Sequence, residues 1–196
     1  MLRRTFLIHI VPGAFAGRAL AQTASPHERA AHKGAKRTPD VPYVPTTEEA
    51  VAAMLKLAGV KKSDVVYDLG CGDGRIVIAA AKNYGAHGVG IDINPERVME
   101  ARANAKKANV GKLVRFEEND LFLADIRPAT VVTLFLLNNV NLQLRPKLMK
   151  DLKPGTRIVS NTFNMGDWRP EKQIELDVSD ELFLSKTLYL WRIPKK

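Results

Sequence analysis

An aspartate and three glycines alternate within one short segment of the chain. Asp68 stands two residues before Gly70, and Gly72 and Gly74 follow at every second position. Glycine lets the backbone turn sharply and approach a bound molecule closely, so glycine-rich turns between a strand and a helix commonly hold nucleotide-like ligands. The turn alone does not identify the ligand, because NAD sites use a similar one.

Two residues of this segment favour a cationic ligand over NAD. The NAD fingerprint places its third glycine three residues after the second, where this chain has Arg75. The Asp68 carboxylate would repel a pyrophosphate but would attract a ligand that carries an ammonium and a sulfonium group. The loop, in which we include Cys71 as a binding but not a catalytic residue, therefore predicts a site for S-adenosylmethionine (SAM).

A second acidic residue, Asp92, ends the next predicted strand about twenty residues after the glycine loop. A carboxylate at this position can accept hydrogen bonds from the two hydroxyls of a ribose. The alternative is that Asp92 caps the following helix, but Asn94 can fill that role. We therefore predict that Asp92 and its neighbour Ile93 belong to the cofactor site.

A third polar element, Asn119 with Asp120, follows the third predicted strand. Asp120 could accept a hydrogen bond from the adenine amino group while Leu121 or Phe122 covers the ring. Helix capping by Asp120 is the alternative, and the sequence does not decide between the two roles. All of these polar residues fall at the carboxyl ends of predicted parallel strands, where open α/β sheets bind ligands.

The predicted elements that position these residues alternate between strands and helices. Helices are predicted over 46–58, 74–84, 95–108 and 146–152, and strands over 65–69, 87–91, 113–116, 131–137, 157–162, 174–178 and 182–193. Thr46 and Glu49 form a capping box, Gly59 ends the first helix, and Pro146 suits a first helical turn. The pattern predicts an α/β, Rossmann-like, doubly wound seven-stranded sheet, parallel with a C-terminal antiparallel hairpin.

The N-terminal segment differs in composition from the rest of the chain. Arg3 and Arg4 precede a mostly apolar stretch that ends in a small-residue cleavage pattern at 19–22, which predicts a signal peptide or membrane anchor over residues 1–24. Residues 25–40 lack periodicity and are predicted to be a flexible linker, which leaves 41–196 as the catalytic domain. We expect a membrane-associated or exported protein, with an active site facing the cytoplasm as the preferred arrangement, because SAM is made there.

Charge and composition narrow the classes of ligand. The formal net charge is +9, but residues 1–40 hold seven Lys and Arg against two acidic residues, so the remainder is only mildly basic. A nucleic-acid partner is therefore not the first expectation. Cys71 is the only cysteine, which excludes an intrachain disulfide. The four histidines lack the spacing of metal ligands, so we expect no metal site.

Over residues 42–193 these motifs resemble the class I SAM-dependent methyltransferases. Residues 42–46 and 72–81, together with Trp168 and Pro170, resemble in particular the lysine methyltransferases that modify the c subunit of mitochondrial ATP synthase, and their bacterial relatives. In that family the Pro-Tyr-Val-Pro segment lies over the cofactor, so the resemblance implies that Tyr43 and Thr46 close the SAM pocket. Leu136, at the end of the fourth strand, completes the predicted cofactor site.

The same resemblance implies that the acceptor nitrogen belongs to a protein lysine, with a small membrane protein as one candidate partner. A small-molecule or nucleic-acid methyltransferase, or a SAM-binding protein without catalysis, are the alternatives. We predict that Asn138 or Asn139, after the fourth strand, holds the incoming nitrogen; turn formation or helix capping is the other interpretation. Trp168 would wall the acceptor channel or simply pack, and Asn164 and Asp167 are further candidates for its rim.

Overall fold

The computed structural model describes residues 43–176 and 187–195. The predicted signal peptide or anchor over 1–24 and the predicted linker over 25–40 lie outside these residues, as do Pro42 and most of the segment between the last two strands.

Seven strands form one mixed sheet in the order β3-β2-β1-β4-β5-β7-β6. The first five run parallel, whereas β7 is antiparallel to both β5 and β6. This arrangement confirms the predicted Rossmann-like fold with its closing antiparallel pair. The strands are β1 Val65–Leu69, β2 His87–Asp92, β3 Val114–Glu118, β4 Val131–Leu134, β5 Arg157–Asn161, β6 Lys172–Glu175 and β7 Thr187–Arg192.

The described residues form four helices. They are α1 Glu48–Ala58, α2 Arg75–Tyr84, α3 Pro95–Lys107 and α4 Asn138–Asp151. The capping prediction for α1 is wrong by one residue, because Thr47 and not Thr46 accepts the Ala50 N–H, at 3.2 Å. Gly59, in the left-handed conformation at φ 60°, ends α1 as expected.

The prediction that α4 begins near Pro146 is also wrong. The helix starts at Asn138 and carries Pro146 in its interior. Val140, Leu144 and Leu148 recur at intervals of four residues and are all buried. Their packing against the sheet outweighs the lost hydrogen bond at the proline, since burial of one large aliphatic side chain stabilises a fold by about 1.5–3 kcal/mol.

The two faces of the sheet bury separate cores, as expected of a doubly wound sheet. Helices α1, α2 and α3 cover the face that contains Val66 and Val131, whereas α4 covers the face that contains Tyr67 and Val132. Strand β4 ends at Leu134, three residues earlier than predicted, which frees residues 135–137 to border the open edge of the sheet. No helix within 43–176 and 187–195 combines the length and hydrophobicity needed to cross a membrane.

Candidate active site

A cleft of about 360 Å³ opens at the carboxyl ends of β1, β2 and β4. Twelve of the thirteen predicted cofactor-binding residues line it, and Gly74 is the exception. The lining residues from that prediction are Tyr43, Thr46, Asp68, Gly70, Cys71, Gly72, Asp92, Ile93, Asn119, Asp120, Leu121 and Leu136. Sequence reasoning missed Asp73, Arg75, Ile76, Ile91, Asn94, Arg97, Phe135 and Val140, which also line the cleft.

Asp68 is a buried carboxylate at the floor of the cleft, with 3% of its surface exposed. Burial raises its pKa to about 7, and the nearby Asp92 and Asp73 act in the same direction. The Thr133 hydroxyl donates a hydrogen bond of 2.7 Å to Asp68 Oδ1, which opposes that rise. A positive charge bound in the cleft would favour the ionised form of Asp68.

Two positions of the glycine loop leave no room for a side chain. Gly70 and Gly72 have φ angles of 84° and 51°, which side chains disfavour. A Cβ atom on Gly72 would lie 2.3 Å from Tyr43 Cε2, and one on Gly70 would lie 3.0 Å from Leu136 Cδ2. The two glycines therefore allow Tyr43 and Leu136 to approach the loop backbone closely.

Gly74 has a different role from the other two glycines. It is the N-cap of α2, at φ 80°, and a Cβ atom there would lie 2.6 Å from Phe116 Cε1. Its lack of a side chain serves the turn into α2 and the packing of that turn on the sheet.

Asp92 organises the backbone around the cleft. Its Oδ2 accepts the Gly72 N–H at 2.8 Å and its Oδ1 accepts the Asn94 N–H at 2.9 Å. Asn94 caps α3 by accepting the Glu96 N–H, so Asp92 is not needed as the helix cap. Each carboxylate oxygen can accept a second hydrogen bond, so the geometry is compatible with the predicted contact to a ribose.

Asp120 begins a turn and not a helix, so the helix-capping alternative is wrong. Its Oδ1 accepts the Phe122 N–H at 2.8 Å, and its carbonyl accepts the N–H groups of Leu123 and Ala124. The Asn119 N–H donates to the Asp92 carbonyl at 2.9 Å, which joins this turn to the end of β2. Both Asn119 and Asp120 border the cleft, and the adenine contact stays a prediction.

The structure does not bring Asn138 and Asn139 into the cleft. They are the first two residues of α4 and both are exposed, whereas Leu136 and Val140 on either side of them line the cleft. The helix begins earlier than predicted, and its first turn therefore replaces the loop in which these asparagines were expected. Their role with the acceptor stays a prediction.

Asn141, in the first half of α4, is a further residue that sequence reasoning missed. It is fully buried, and its Nδ2 donates to the Phe163 carbonyl at 3.1 Å and to Ser160 Oγ at 3.3 Å. The side chain thereby ties α4 to the segment that follows β5. A polar residue within the apolar pattern of α4 could have indicated a buried hydrogen-bonding role. Its partners could not be predicted, because they are distant in sequence.

Trp168 packs within the fold and does not line the cleft. Its carbonyl accepts the Trp191 indole N–H at 2.7 Å, and the Arg145 guanidinium lies 5.9 Å from its ring centroid. Arg145 also forms an ion pair with Asp167. Asn164, the other predicted rim residue, accepts the Gly166 N–H. An aromatic residue that does line the cleft is Phe135, stacked on Phe163 with ring centroids 6.2 Å apart.

Comparison with known proteins places this geometry in a family. The model of the ANTKMT methyltransferase domain matches residues 68–172, which run from the buried aspartate to the start of β6. The chain belongs to this methyltransferase family. A protein-lysine N-methyltransferase from the archaeon Saccharolobus islandicus (strain REY15A) is 49% identical over 79% of this chain and 95% of that protein.

Two further relatives of the methyltransferase differ in the acceptor that their names state. The human lysine N-methyltransferase of the ATP synthase c subunit is 33% identical over 67% of this chain, which spans about half (55%) of the length of that protein. A crystal structure named as an RNA methyltransferase from Salinibacter ruber, in complex with S-adenosyl-L-homocysteine, is 52% identical, with a TM-score of 0.74 over 78% of this chain and 95% of that one.

The cleft of the methyltransferase fits SAM, which supplies an electrophilic methyl group on a positively charged sulfur. The buried Asp68 carboxylate offers the negative charge that a cationic ligand needs, and Gly70 and Gly72 also line the cleft. Asp92 is the candidate for the ribose hydroxyls. Within the described residues, no group of three or more His, Cys, Asp or Glu side chains could hold a metal ion.

Proposed function

We propose that this SAM-dependent methyltransferase modifies lysine side chains of a protein substrate. The observation that carries the proposal is the identity of nearly half, over almost the whole relative, with the archaeal protein-lysine N-methyltransferase. The side of the cleft that we assign to the acceptor, between the end of β4 and the start of α4, is compatible with this proposal. Phe135 and Val140 line that side and suit the aliphatic arm of a lysine.

A lysine acceptor sets two requirements for the residues of the cleft. The amine must lose its proton before it can attack, and removal from water lowers the pKa of an ammonium group. Apolar walls at Phe135 and Val140 would reduce the contact of a bound amine with water and therefore favour its neutral form. The second requirement is that the cleft aligns the nitrogen, the methyl group and the sulfur. Proximity and orientation of this kind can lower an activation barrier by about 7–11 kcal/mol.

RNA is the second candidate acceptor, because the Salinibacter ruber relative is named as an RNA methyltransferase. The sequence pI of about 9.7 is also compatible with an acidic partner. Against it, more than half of the net positive charge of the sequence lies on residues 1–40 and not on the domain that forms the cleft.

The nature of the labelled product decides between the two acceptors. Full-length protein is incubated with methyl-labelled SAM and a bacterial lysate, and the products are divided for protease or ribonuclease treatment. We expect label that resists ribonuclease and is recovered as N-methyllysine after acid hydrolysis. Label released by ribonuclease would contradict the lysine proposal and support RNA. The Asp68→Ala variant is the background control, since it lacks the buried carboxylate of the cofactor site.

We also propose that residues 1–24 hold the enzyme at a membrane, with the active site on the cytoplasmic side and a small membrane protein as substrate. The support comes from sequence alone: Arg3 and Arg4 precede a mostly apolar stretch, and the cofactor is made in the cytoplasm. Fractionation of the C-terminally tagged protein tests it, with intact protein expected in the membrane fraction. Soluble protein cleaved after Ala21 would contradict the proposal.

A further inference from the structure

Residues 43–46, which we term the strap, lead into α1 and all line the SAM cleft. The ring of Tyr43 lies against the backbone of Gly72, and the guanidinium of Arg97 on α3 lies 4.8 Å from the ring centroid. Tyr43 nevertheless keeps 46% of its surface exposed, so burial of this side chain contributes only part of what holds the strap in place.

A guanidinium group fixes the other end of the strap. Arg75 Nη1 donates to the Thr46 carbonyl at 2.7 Å, and Thr46 itself is only 5% exposed. The hydrogen bond joins the strap to the first residue of α2, directly after the glycine loop. Arg75 occupies the position at which the NAD fingerprint has its third glycine, so the side chain that replaces this glycine bridges the loop to the strap.

Arg75 is itself held in one orientation by Asp73. Its Nε donates to Oδ1 at 3.0 Å, its Nη2 donates to Oδ2 at 2.6 Å, and its backbone N–H donates to Oδ1 at 3.2 Å. Asn104 Nδ2 on α3 donates to the Asp73 carbonyl at 3.0 Å and steadies the turn. The paired contacts of a guanidinium fork leave one nitrogen, Nη1, directed at Thr46, an arrangement that a lysine ammonium cannot reproduce.

We infer that Arg75 is a positioning residue for the cofactor: clamped by Asp73, it holds the strap over the cleft and thereby sets how long SAM is retained. Segments that close over a ligand affect its escape more than its arrival, so loss of the clamp should act mainly on the dissociation rate. The inference depends on SAM binding and not on the identity of the methyl acceptor.

The chain provides a matched control in a second Asp-x-Arg turn. Arg127 makes the same contacts with Asp125, at 2.7 Å from Nε, 2.7 Å from Nη2 and 3.1 Å from the backbone N–H. The Arg127 side chain is 73% exposed and does not line the cleft. Substitution of Arg127 therefore removes the same local ion pair without touching the strap.

The test compares Arg75→Leu, Arg75→Lys and Arg127→Leu in the full chain. SAM affinity is measured by calorimetry, the dissociation rate by chase of labelled SAM, and KM for SAM and kcat in the labelling assay. We expect Arg75→Leu to raise Kd, KM and the dissociation rate about tenfold, because it removes the charged hydrogen bond between Arg75 and the strap, with kcat at saturating SAM changed less than twofold. Arg75→Lys should recover little of the loss.

Arg127→Leu should leave all of these values within about twofold, as expected of an exposed pair. An Arg75→Leu protein that binds and releases SAM like the parent would overturn the inference, as would equal effects of Arg75→Leu and Arg127→Leu. If Arg75→Leu does not fold, Arg75→Lys decides, and unchanged SAM dissociation in that variant would overturn the inference. If the substitutions change SAM binding as expected but the parent enzyme does not methylate lysine, the result would count against the proposed acceptor alone.

Discussion

The two sides of the cleft are built in different ways. The cofactor side is formed mainly by residues at the carboxyl ends of β1 and β2 and directly after them, including Asp68, Gly72 and Asp92. The side that we propose for the acceptor combines Phe135 and α4 with a segment that follows β5, joined through the buried Asn141. The first side is encoded locally, whereas the second exists only once α4 has packed against the sheet.

Substitution of Asp68 should cause the largest effect and should fall on the cofactor side alone. Asp68→Asn keeps the shape and the contact with the Thr133 hydroxyl but removes the charge. Because loss of one partner from a buried charge pair costs about 2–5 kcal/mol, we expect the Kd for SAM to rise about 100-fold. Calorimetric titration with SAM measures the change.

The same substitution should not destabilise the free protein. The raised pKa of Asp68 means that the fold disfavours its ionised form, so a neutral amide removes a cost at neutral pH. The melting temperature of Asp68→Asn at pH 8 should equal or exceed that of the parent. An unchanged SAM affinity, or a collapse of the melting temperature, would contradict the role assigned to Asp68.

The pH dependence of SAM binding should follow the ionisation of the Asp68 carboxyl group. Its pKa is raised from 3.8 to about 7, so the free folded protein holds more protons than the unfolded chain between these values, and the stability contributed by this group falls as pH rises through that window. A cationic ligand favours the ionised form. SAM affinity should therefore increase about fivefold from pH 6 to pH 7 and level off above about pH 8.

Calorimetry in two buffers of different ionisation enthalpy would detect the proton released on binding below pH 7. The Asp68→Asn protein should show neither the proton release nor the pH dependence. A dependence that persists in this variant would assign it to another group.

The difference between the two sides also explains what could be predicted from the sequence. Asp68, the glycines and Asp92 have fixed spacing relative to strands with strong apolar patterns, so residue type and position were sufficient to place them. The contact of Asn141 with Phe163 spans 22 residues and depends on the packing of α4. No local pattern reports such a contact.

The start of α4 shows the same limit in detail. Pro146 suits a first helical turn, and this local preference predicted a short helix. Burial of Val140 and Leu144 extends the helix toward its N-terminus instead. The extension converts the expected acceptor loop into a helical turn, and it places Asn138 and Asn139 on the surface.

An intermediate effect, confined to the acceptor side, is expected for Asn141→Leu. The change removes hydrogen bonds to the Phe163 carbonyl and to Ser160, and it also removes Oδ1, which is buried with no partner among the described residues. These changes partly offset each other, so we expect a loss of stability of about 1–2 kcal/mol.

Displacement of the Phe163 segment should raise KM for the acceptor about three- to fivefold, because Phe163 stacks on Phe135 at the cleft. The Kd for SAM should stay within twofold of the parent value. Equal changes in both constants would show that the two sides are not separable in this way. Met99→Ala, a truncation of an exposed side chain outside the cleft, is the matched control.

The smallest effects are expected for Asn138→Ala and Asn139→Ala. Both side chains are exposed on the first turn of α4 and neither lines the cleft, so each substitution should change stability by less than about 0.5 kcal/mol and kcat by less than about twofold. Steady-state kinetics with saturating SAM measure the effect. A loss of kcat greater than tenfold, with normal SAM affinity, would restore the catalytic role predicted from the sequence and would require α4 to rearrange when the acceptor binds.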